Sequence, residues 1–581
     1  LYGCPDAPLL PRLTQIVGYG RAQMELGAFV AKQCANVTGP HRDEFVSRIS
    51  YAQGQYDQEA DFARLNRQLL GLEADSGAER CSRLFFLSVP PTVFGQVCDM
   101  VHRQARAVSG FTRLIIEKPF GRDSRTFAEL NDCTSRLFRE DQLYRIDHYL
   151  AKEKVLNLVA FRFANQLYEP LWNRKHIAQV QIIFKEDIGT DGRGGYFDGF
   201  GIIRDIMQNH LLQVFLWLAM EAPEGLDAPS IAKEKLRLLA ATRTLEMKDC
   251  FLGQYAAGAG QPGYLDDETV PAGSRCPTYA AAVLNVDNDR WRGVPFIMRA
   301  GKALNERLAE VRVTFKKQTY NSLLPGEPNE LVLRIQPDEG VYLRCINKQP
   351  GWSQAQTVPV HMKMSYRDAF PVSYSAGAYE RMLLNAAKGE QSLFVGAEEL
   401  VEAWRVFTPL LDEIDSSRPQ PVLYPFGSVM PEGLKDFAQA RGVDVEDTPI
   451  RAVLADASPL RKTSKSSLMV TPLRPRAAEG PGLPVSEEKK KAGDGRASAA
   501  AGAAEGTEGA EVKKGTRRDA PADEVGPTPP RKWRRLKSHG TFYGGARAQE
   551  EGLLPSFRQA PRVPRGRRAP RRGAKPNGSA R

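Results

Sequence analysis

The stretch from Arg145 to Glu153 concentrates residues that could bind an anion. His148 and Lys152 stand four positions apart, so a helix over this stretch would present both side chains on one face. With the phenol of Tyr149 between them, they could hold a phosphate group through charge-assisted hydrogen bonds. The same spacing is also typical of a solvated helix surface, so it does not by itself establish an anion site.

A second candidate for chemistry is His210, which lies in the largely apolar stretch Ile202–Met220. The pattern of that stretch predicts a buried helix. An imidazole with an ordinary pKa near 6.5 is suited to act as a general base at neutral pH. Before any resemblance is considered, a histidine in such a helix is more often a core residue whose hydrogen bonds are satisfied, so spacing alone does not identify a general base.

The elements that precede these residues predict a doubly wound α/β domain over residues 1–146. Helical periodicity at Thr92–Ala107 alternates with three short β-rich runs, which are Gln15–Tyr19, Arg83–Val89 and Arg113–Glu117. Such alternation is typical of a Rossmann-like parallel sheet. The strand and Gly-rich loop that normally open this domain do not occur before Gln15. We therefore expect a coenzyme domain that lacks its first strand and its diphosphate loop.

Residues 147–450 predict a larger α+β domain. Helices are expected at Tyr149–Asn165, at Ile202–Met220 and at Glu398–Phe407, the last ending near Pro409. Strands are expected at Gln179–Phe184, Ala280–Asn285, Val311–Phe315, Leu331–Ile335 and Val341–Cys345. Helices that cover one face of an antiparallel or mixed sheet would account for this order of elements.

Residues 451–581 are rich in Ala, Gly, Pro and charged residues, and this composition predicts a disordered, basic, low-complexity tail. Two basic clusters, at 531–537 and 565–572, could contact nucleic acid, and the first includes a tryptophan that could stack on a base. A solvated tail or the product of an erroneous reading frame is favoured over nucleic-acid binding on composition alone.

Composition excludes several classes of protein. The 581-residue chain is 42% hydrophobic and 26% charged, which predicts a soluble globular protein. Polar residues interrupt its most hydrophobic stretch, so no membrane span is expected. Its eight cysteines never form Cys-x-x-Cys, which indicates neither a zinc site nor a disulfide framework. We expect no metal in the reaction and a reducing compartment.

Several motifs together resemble the glucose-6-phosphate dehydrogenase family. The stretch Arg145–Glu153 matches the family signature with one departure, because Ala151 stands where glycine is usual. The resemblance extends through Glu117–Gly121, Phe161–Asn165, Arg193–Asp198, Gly201–Gln213, Gly301–Arg307 and Phe407–Leu411. About three quarters of the chain, roughly Leu9 to Gly427, can be laid on the family without a large gap.

The resemblance implies the oxidation of glucose 6-phosphate to 6-phosphogluconolactone, the first step of the oxidative pentose phosphate pathway. It implies that His210 is the general base and that Asp147 pairs with it. It further implies a substrate site that is formed by Lys118, His148, Tyr149, Lys152, Glu186, Asp205, Lys302 and Arg307.

The resemblance also implies that the coenzyme is NADP. Arg21 matches an arginine that meets the 2′-phosphate, and Lys118 contacts both substrate and coenzyme. Phe94 replaces a tyrosine that is common at the coenzyme site, so it keeps the packing without the hydroxyl. A second, structural NADP site in some members is matched by Arg299, Arg312, Arg334 and Tyr342. We expect that site to be weak or lost, because Leu308, Val429 and Lys363 depart from the family pattern.

The family forms homodimers and homotetramers through the sheet of its second domain, and we expect the same assembly. A cytoplasmic form is favoured over a plastid form, because Cys34 lacks an evident partner for thiol regulation. The missing diphosphate loop leaves one alternative function, a catalytically impaired sugar-phosphate-binding or assembly subunit.

Overall fold

The computed structural model describes residues 9–11, 13–317, 324, 326–371 and 376–445. The chain divides into two compact units, Leu1–Met469 and Val470–Arg581, and all described residues belong to the first. The segment 451–581, for which we predict disorder, lies outside the described residues. Among the described residues, no helix is both long enough and apolar enough to cross a membrane.

Helices and strands alternate along the first part of the chain and are more segregated in the second. The α-helices are α1 Leu26–Gln33, α2 Arg42–Ser47, α3 Glu59–Asp75, α4 Phe94–Gln104, α5 Ser124–Ser135, α6 Glu153–Phe163, α7 Gly194–Asp198, α8 Leu212–Ala219, α9 Ala228–Ala241, α10 Tyr366–Ala369, α11 Ala378–Lys388, α12 Ala397–Ser417 and α13 Leu434–Gln439. The strands are β1 Ile16–Gly20, β2 Ile49–Gln53, β3 Arg83–Leu87, β4 Thr112–Glu117, β5 Leu143–Ile146, β6 Ile177–Lys185, β7 Cys250–Ala256, β8 Tyr279–Leu284, β9 Phe296–Gly301, β10 Leu308–Phe315, β11 Glu330–Gln336, β12 Gly340–Lys348, β13 Thr357–Ser365 and β14 Val422–Pro425.

The first part of the chain is α/β, as predicted. Its strands form two parallel groups, β1–β2 and β3–β4–β5. Helix α4 connects β3 to β4 and buries Phe94, Val97, Cys98 and Val101, which share one helical face. The parallel arrangement gathers the carboxyl ends of β3, β4 and β5 at one edge, where the chain continues into Lys118 and Asp147.

The second part contains a nine-stranded sheet in the order β13-β12-β11-β10-β6-β9-β8-β7-β14. The pairs β6–β9 and β7–β14 are parallel and the remaining pairs are antiparallel, so the sheet is mixed, as predicted. The central strands β8 and β9 are buried along their whole length. A helical layer packs against the sheet and provides the buried face from which His210 projects.

That helical layer differs from the prediction in two places. The helix predicted at Ile202–Met220 exists, but its first part, Ile203–Leu211, is π-helical and only α8 has α geometry. The prediction that a helix ends near Pro409 is wrong, because α12 continues through Pro409 to Ser417. Residues beyond the proline, such as Leu410 and Leu411, are buried, and this packing outweighs the loss of one helical hydrogen bond.

A buried polar network ties α8, α9 and α12 together behind His210. The amide of Gln213 donates to Glu399 Oε1 at 2.6 Å, and Lys235 Nζ donates to Gln213 Oε1 at 2.9 Å. Lys235 Nζ also lies 3.3 Å from Glu399 Oε2. Both charged side chains are at most 3% exposed, so each depends on the other for compensation.

Replacing Glu399 with glutamine should leave the Lys235 ammonium buried without a counter-charge. We expect Glu399→Gln to lower the free energy of unfolding by about 3 kcal/mol. The double variant with Lys235→Met should recover most of this loss. Urea unfolding is the measurement, and Glu224→Gln, which breaks the exposed pair with Lys233, is the matched control without effect. An unchanged stability of Glu399→Gln would contradict this account.

A second buried lysine, Lys154 in α6, has no hydrogen-bond partner for its Nζ among the described residues. The ammonium lies 4.4 Å from the centre of the Tyr366 ring. Burial lowers the pKa of Lys154 from 10.5 to about 8, and the nearby charge of Glu339 opposes part of this shift. The folded chain therefore releases this proton at a lower pH than the unfolded chain.

The buried charge of Lys154 should make stability depend on pH. The free-energy cost of burying this charge reduces the stability in full below pH 8. The cost disappears as the pH rises towards 10.5, the pKa of the lysine in the unfolded chain. We expect Lys154→Met to raise the free energy of unfolding by about 3 kcal/mol at pH 7 and by only about 1 kcal/mol at pH 10. Urea unfolding at both pH values measures this, with the exposed Lys248→Met as control. An equal gain at both pH values would refute it.

Candidate active site

The centre of the site is a hydrogen bond between His210 and Asp147. His210 Nδ1 lies 2.6 Å from Asp147 Oδ1, and both side chains are 3% exposed. Asp147 caps the 3₁₀ turn His148–Ala151, where Oδ1 also accepts from the backbone N–H of Tyr149 at 3.0 Å. The carboxylate is thus fixed by the turn that follows it, and the imidazole is fixed by the carboxylate.

The charge states of this pair are set by burial and by mutual attraction. Burial raises the pKa of Asp147, but the charge of His210 and their hydrogen bond reverse this and hold it below its ordinary value. Burial lowers the pKa of His210, and the charge of Lys118 lowers it further, against the opposing effect of Asp147. At neutral pH the pair is therefore a carboxylate and a neutral imidazole. With its proton on Nδ1, the imidazole keeps a lone pair on Nε2.

The π-helical segment decides which residues share the face of His210. In an α-helix, residues five apart are rotated by about 140°, so Asp205 and His210 would diverge. In a helix with i→i+5 hydrogen bonds, five residues complete slightly more than one turn, so the two side chains face nearly the same side. The two groups are close enough that each influences the pKa of the other.

Two aromatic side chains of the signature enclose the His210 ring. Tyr149 stacks on it with a centroid distance of 4.6 Å and an interplanar angle of 22°. His148 meets its edge at 4.6 Å and 74°. Burial, followed by the proximity of His210, lowers the pKa of His148 to about 4, so this ring is also neutral at neutral pH.

The prediction that His148 and Lys152 share one helical face is wrong. His148 lies in the 3₁₀ turn, and Lys152 has an extended backbone with φ −69° and ψ 134° before α6 begins. The side chain of Asp147 captures the N–H of Tyr149 and tightens the turn, which prevents a continuous α-helix. Lys152 nevertheless stays at the site, because its ammonium lies 4.9 Å from the centre of the Tyr149 ring.

Lys152 has a neighbour that the sequence analysis missed. Its Nζ donates to Gln336 Oε1 at 2.7 Å, across from the end of β11. Burial raises the pKa of Tyr149, with further contributions from Asp147 and Glu186, and the charge of Arg307 opposes these effects. The exposed guanidinium of Arg307 therefore lies on the same side of the site as the Tyr149 hydroxyl.

Lys118 connects the parallel sheet to the π-helical segment. Directly after β4, its Nζ donates to the backbone oxygen of Asp205 at 2.6 Å and to Asp205 Oδ1 at 2.9 Å. The chain then turns at Gly121, which has φ 79°, and a Cβ there would lie 2.6 Å from the backbone nitrogen of Phe127. Glycine is therefore required to seat this loop on α5.

Glu186 and Lys302 form a second ion pair at the edge of the site. Lys302 Nζ lies 2.5 Å from Glu186 Oε2 and 5.3 Å from the centre of the Phe197 ring. Burial raises the pKa of Asp205, but the charge of Lys118 and then that of Lys302 lower it below its ordinary value. The structure thus brings together the ten residues predicted for catalysis and for substrate binding.

The two remaining predicted residues, Arg21 and Phe94, lie in the α/β part. Arg21 follows the carboxyl end of β1, and its exposed guanidinium lies 5.5 Å from the centre of the Tyr56 ring. Phe94 begins α4 and is only 1% exposed, so it is a core residue in this structure.

Tyr379 and Glu117 also belong to the site and were missed. Tyr379, at the start of α11, lies parallel to the His148 ring at 6.0 Å, with an interplanar angle of 12°. Its hydroxyl hydrogen-bonds to Glu117, whose pKa is raised by burial despite this bond. No spacing signal connects residue 379 with residue 148, because the contact is made only by folding.

Of the three arginines predicted for a second coenzyme site, two form ion pairs inside the protein and the third is hydrogen-bonded to neutral side chains. Arg312 Nε lies 2.6 Å from Glu310 Oε1, and Arg334 Nε lies 2.7 Å from Glu310 Oε2. Arg299 is buried and donates to Tyr279 and Gln181, each at 3.3 Å. The weak or lost binding that we expect at this second NADP site stays a prediction.

Comparison with known proteins identifies close relatives. Sequence models of "Glucose-6-phosphate dehydrogenase, NAD binding domain" and of the corresponding C-terminal domain match residues 1–157 and 159–446. A glucose-6-phosphate 1-dehydrogenase of Dictyostelium discoideum is 44% identical over 450 residues, which are 76% of this chain and 90% of the relative. A chloroplastic form of Arabidopsis thaliana is 45% identical, over 75% of this chain and 76% of the relative.

Solved structures agree with the sequence relatives. A glucose-6-phosphate dehydrogenase in complex with its substrate glucose 6-phosphate superposes with a TM-score of 0.72 at 40% identity, covering 75% of this chain and 92% of that one. The enzyme from Mycobacterium avium superposes with a TM-score of 0.65 at 30% identity, over 75% of this chain and 91% of that chain. The family models together match residues 1–157 and 159–446, and the chain belongs to the glucose-6-phosphate dehydrogenase family.

Proposed function

We propose that this protein oxidises glucose 6-phosphate at C1 to 6-phosphogluconolactone and passes the hydride to NADP. The observation that carries this proposal is the buried 2.6 Å hydrogen bond between His210 and Asp147. A neutral imidazole with a free Nε2 next to a fixed carboxylate is equipped to accept one proton and to stabilise the cation that results. The pair includes no Ser, Thr or Cys for the imidazole to activate, and its internal hydrogen bond suits proton transfer rather than covalent catalysis.

Substrate selection follows from the residues around this pair. Lys152 and Arg307 are cations on the same side of the site as the Tyr149 hydroxyl. That hydroxyl is buried and has no hydrogen-bond partner among the described residues. A phosphate would satisfy that hydroxyl and both cations, and His148 could supply one further hydrogen bond. Holding the 6-phosphate there positions C1 near His210, so that remote binding energy contributes to orientation.

The sugar hydroxyls would face the two ion pairs of the site. Asp205 and Glu186 present carboxylates, and Lys118 and Lys302 hold them in place. Carboxylates that accept from adjacent hydroxyls distinguish a sugar from a simple phosphate ester, because a ligand without those hydroxyls would forgo these hydrogen bonds.

The α/β part offers groups that fit a nicotinamide dinucleotide. The parallel strands β1 and β4 end at Gly20 and Glu117, and Arg21 and Lys118 follow them directly. Dinucleotides bind at the carboxyl ends of parallel strands, and an arginine there suits the 2′-phosphate of NADP. The nicotinamide supplies a hydride acceptor when the coenzyme is bound. Lys118 would orient its ring and the substrate, since this lysine joins the sheet to Asp205.

The proton is managed by this chain's own residues. His210 Nε2 would take the proton of the C1 hydroxyl as the carbon–oxygen bond gains double-bond character. Asp147 would stabilise the imidazolium through Nδ1–H and keep the ring from rotating. Burial of both groups keeps water from competing for that proton and strengthens their attraction.

Removing the base should reduce turnover far more than substrate binding. We expect His210→Asn to lower kcat by about 10³-fold, with a small change in KM, because general bases contribute on this scale. Asp147→Asn should cause a smaller loss. Formation of NADPH is the measurement, and His361→Asn on β13 is the matched control. Full activity of His210→Asn would contradict the assignment.

Binding can be separated from turnover by the unfolding temperature. Glucose 6-phosphate, but not glucose, should raise the Tm, and Lys152→Gln should remove most of that rise because the phosphate loses a cation. A rise in Tm without any turnover would instead favour the non-catalytic sugar-phosphate-binding subunit. The intact His210–Asp147 pair and the enzymes among the relatives favour the dehydrogenase.

Coenzyme selectivity should depend on Arg21. We expect Arg21→Ala to raise the KM for NADP about tenfold, equivalent to about 1.4 kcal/mol, and to leave the KM for NAD unchanged. Steady-state kinetics with both coenzymes measure this, with Arg125→Ala on α5 as control. Equal effects on NAD and NADP would show that Arg21 does not meet the 2′-phosphate.

Assembly and compartment belong to the same proposal. A homodimer or homotetramer that is built through the nine-stranded sheet would follow the family. The cytoplasm is the proposed location, with a plastid as the alternative, since the relatives include chloroplastic forms. The limits 1–146, 147–450 and 451–581 remain the proposed domain organisation.

A further inference from the structure

Asp147, His148 and His210 form a cluster with a second chemical capability. Each offers one possible ligand atom, and the three atoms lie within 4.8 Å of one another. Two imidazoles and one carboxylate are the ligand set of many catalytic zinc sites. Ligand atoms around a tetrahedral zinc ion lie about 3.4 Å apart, so side-chain movements on the order of 1 Å would complete the geometry.

One buried oxygen atom of this cluster lacks a hydrogen-bond partner among the described residues. Asp147 Oδ2 is buried and has no hydrogen-bond partner among the described residues, whereas Oδ1 accepts from His210 and from the Tyr149 N–H. A buried carboxylate oxygen without a partner is costly, and a cation would remove that cost. The hydroxyl of Tyr149 is likewise buried and without a partner among the described residues, so a second polar atom beside the cluster could take a new ligand.

The surrounding charges permit a cation. Lys118 and Lys152 repel one, but Lys118 is paired with Asp205 and Lys152 donates to Gln336. Glu117 adds a further carboxylate close to Asp147. When Glu186, Lys302 and Arg307 are included, four carboxylates of the site stand against four cations, so a divalent ion would not enter a site of net positive charge.

We propose that Asp147, His148 and His210 bind a Zn²⁺ ion, which leaves its fourth position open and inhibits the enzyme. The ion would occupy the carboxylate and the imidazole that handle the proton, and it would take the ring that faces the substrate phosphate. Inhibition should therefore be competitive with glucose 6-phosphate. This inhibition rests on the proposed function, whereas binding of the ion does not.

The test is direct binding of Zn²⁺ to the full chain, measured by competition with a chromophoric chelator. We expect one ion per chain, and binding at least tenfold weaker in His148→Asn and in Asp147→Asn. His361→Asn, which removes a histidine of β13, is the matched control and should bind like the unmodified chain. Unchanged affinity in both site variants would overturn the proposal.

A spectroscopic measurement guards against variants that do not fold. Co²⁺ added to the unmodified chain should give intense visible bands, which are typical of tetrahedral coordination with nitrogen and oxygen ligands, and Zn²⁺ should displace it. Weak bands typical of an octahedral hydrated ion would overturn the proposed geometry. Binding without inhibition would show that the ion lies elsewhere than at His210, and would also count against the proposal, even if turnover itself is normal.

Discussion

The structure depends on one constraint, which is that a neutral imidazole must be held against a carboxylate in a place shielded from solvent. Asp147 comes from the turn after β5, and His210 comes from a helix that packs on the nine-stranded sheet. Neither part of the chain can place both groups. The pair therefore exists only where the two parts meet, and the site residues around it, such as Lys118 and Arg307, have two roles. Some hold the two parts together, and others compensate the charges that burial would otherwise penalise.

This arrangement explains why the site contains so many ion pairs. Lys118 with Asp205 and Lys302 with Glu186 are not isolated surface contacts, because each joins different elements at the edge of the site. The buried network of Gln213, Lys235 and Glu399 repeats the same principle one layer deeper. Preorganised charges of this kind cost stability during folding, but they require no rearrangement when substrate charge arrives.

Much of the fold could be predicted from sequence, because apolar runs and the alternation of apolar and polar residues indicate directly which residues form strands and which face of a strand is buried. The predicted strands at Val311–Phe315, Leu331–Ile335 and Val341–Cys345 all lie within the observed β10, β11 and β12. Site residues were predicted by resemblance to a family, and their spacing alone was ambiguous. Gln336 and Tyr379 escaped notice, because their roles arise from contacts across more than 180 positions of the chain.

The errors share a physical cause. The helix through Pro409 and the 3₁₀ turn at His148–Ala151 both reflect tertiary contacts that outweigh local preference. A proline normally ends a helix, yet the burial of Leu410 and Leu411 sustains it. Four-residue spacing normally indicates a shared face, yet a single hydrogen bond from the Tyr149 N–H to the Asp147 carboxylate redirects the backbone.

The π-helical segment Ile203–Leu211 also limits how the chain can change in length. Substitutions on its surface can be tolerated if the side chains still fit, but a regular α-helix of the same length would turn His210 by about 140° away from Asp205. Removing one residue between them would restore a shared face only if the segment became α-helical at the same time, because residues four apart share a face in an α-helix. The number of residues between Gly201 and Leu212 is therefore part of the site in its own right, even at positions whose side chains touch nothing in it.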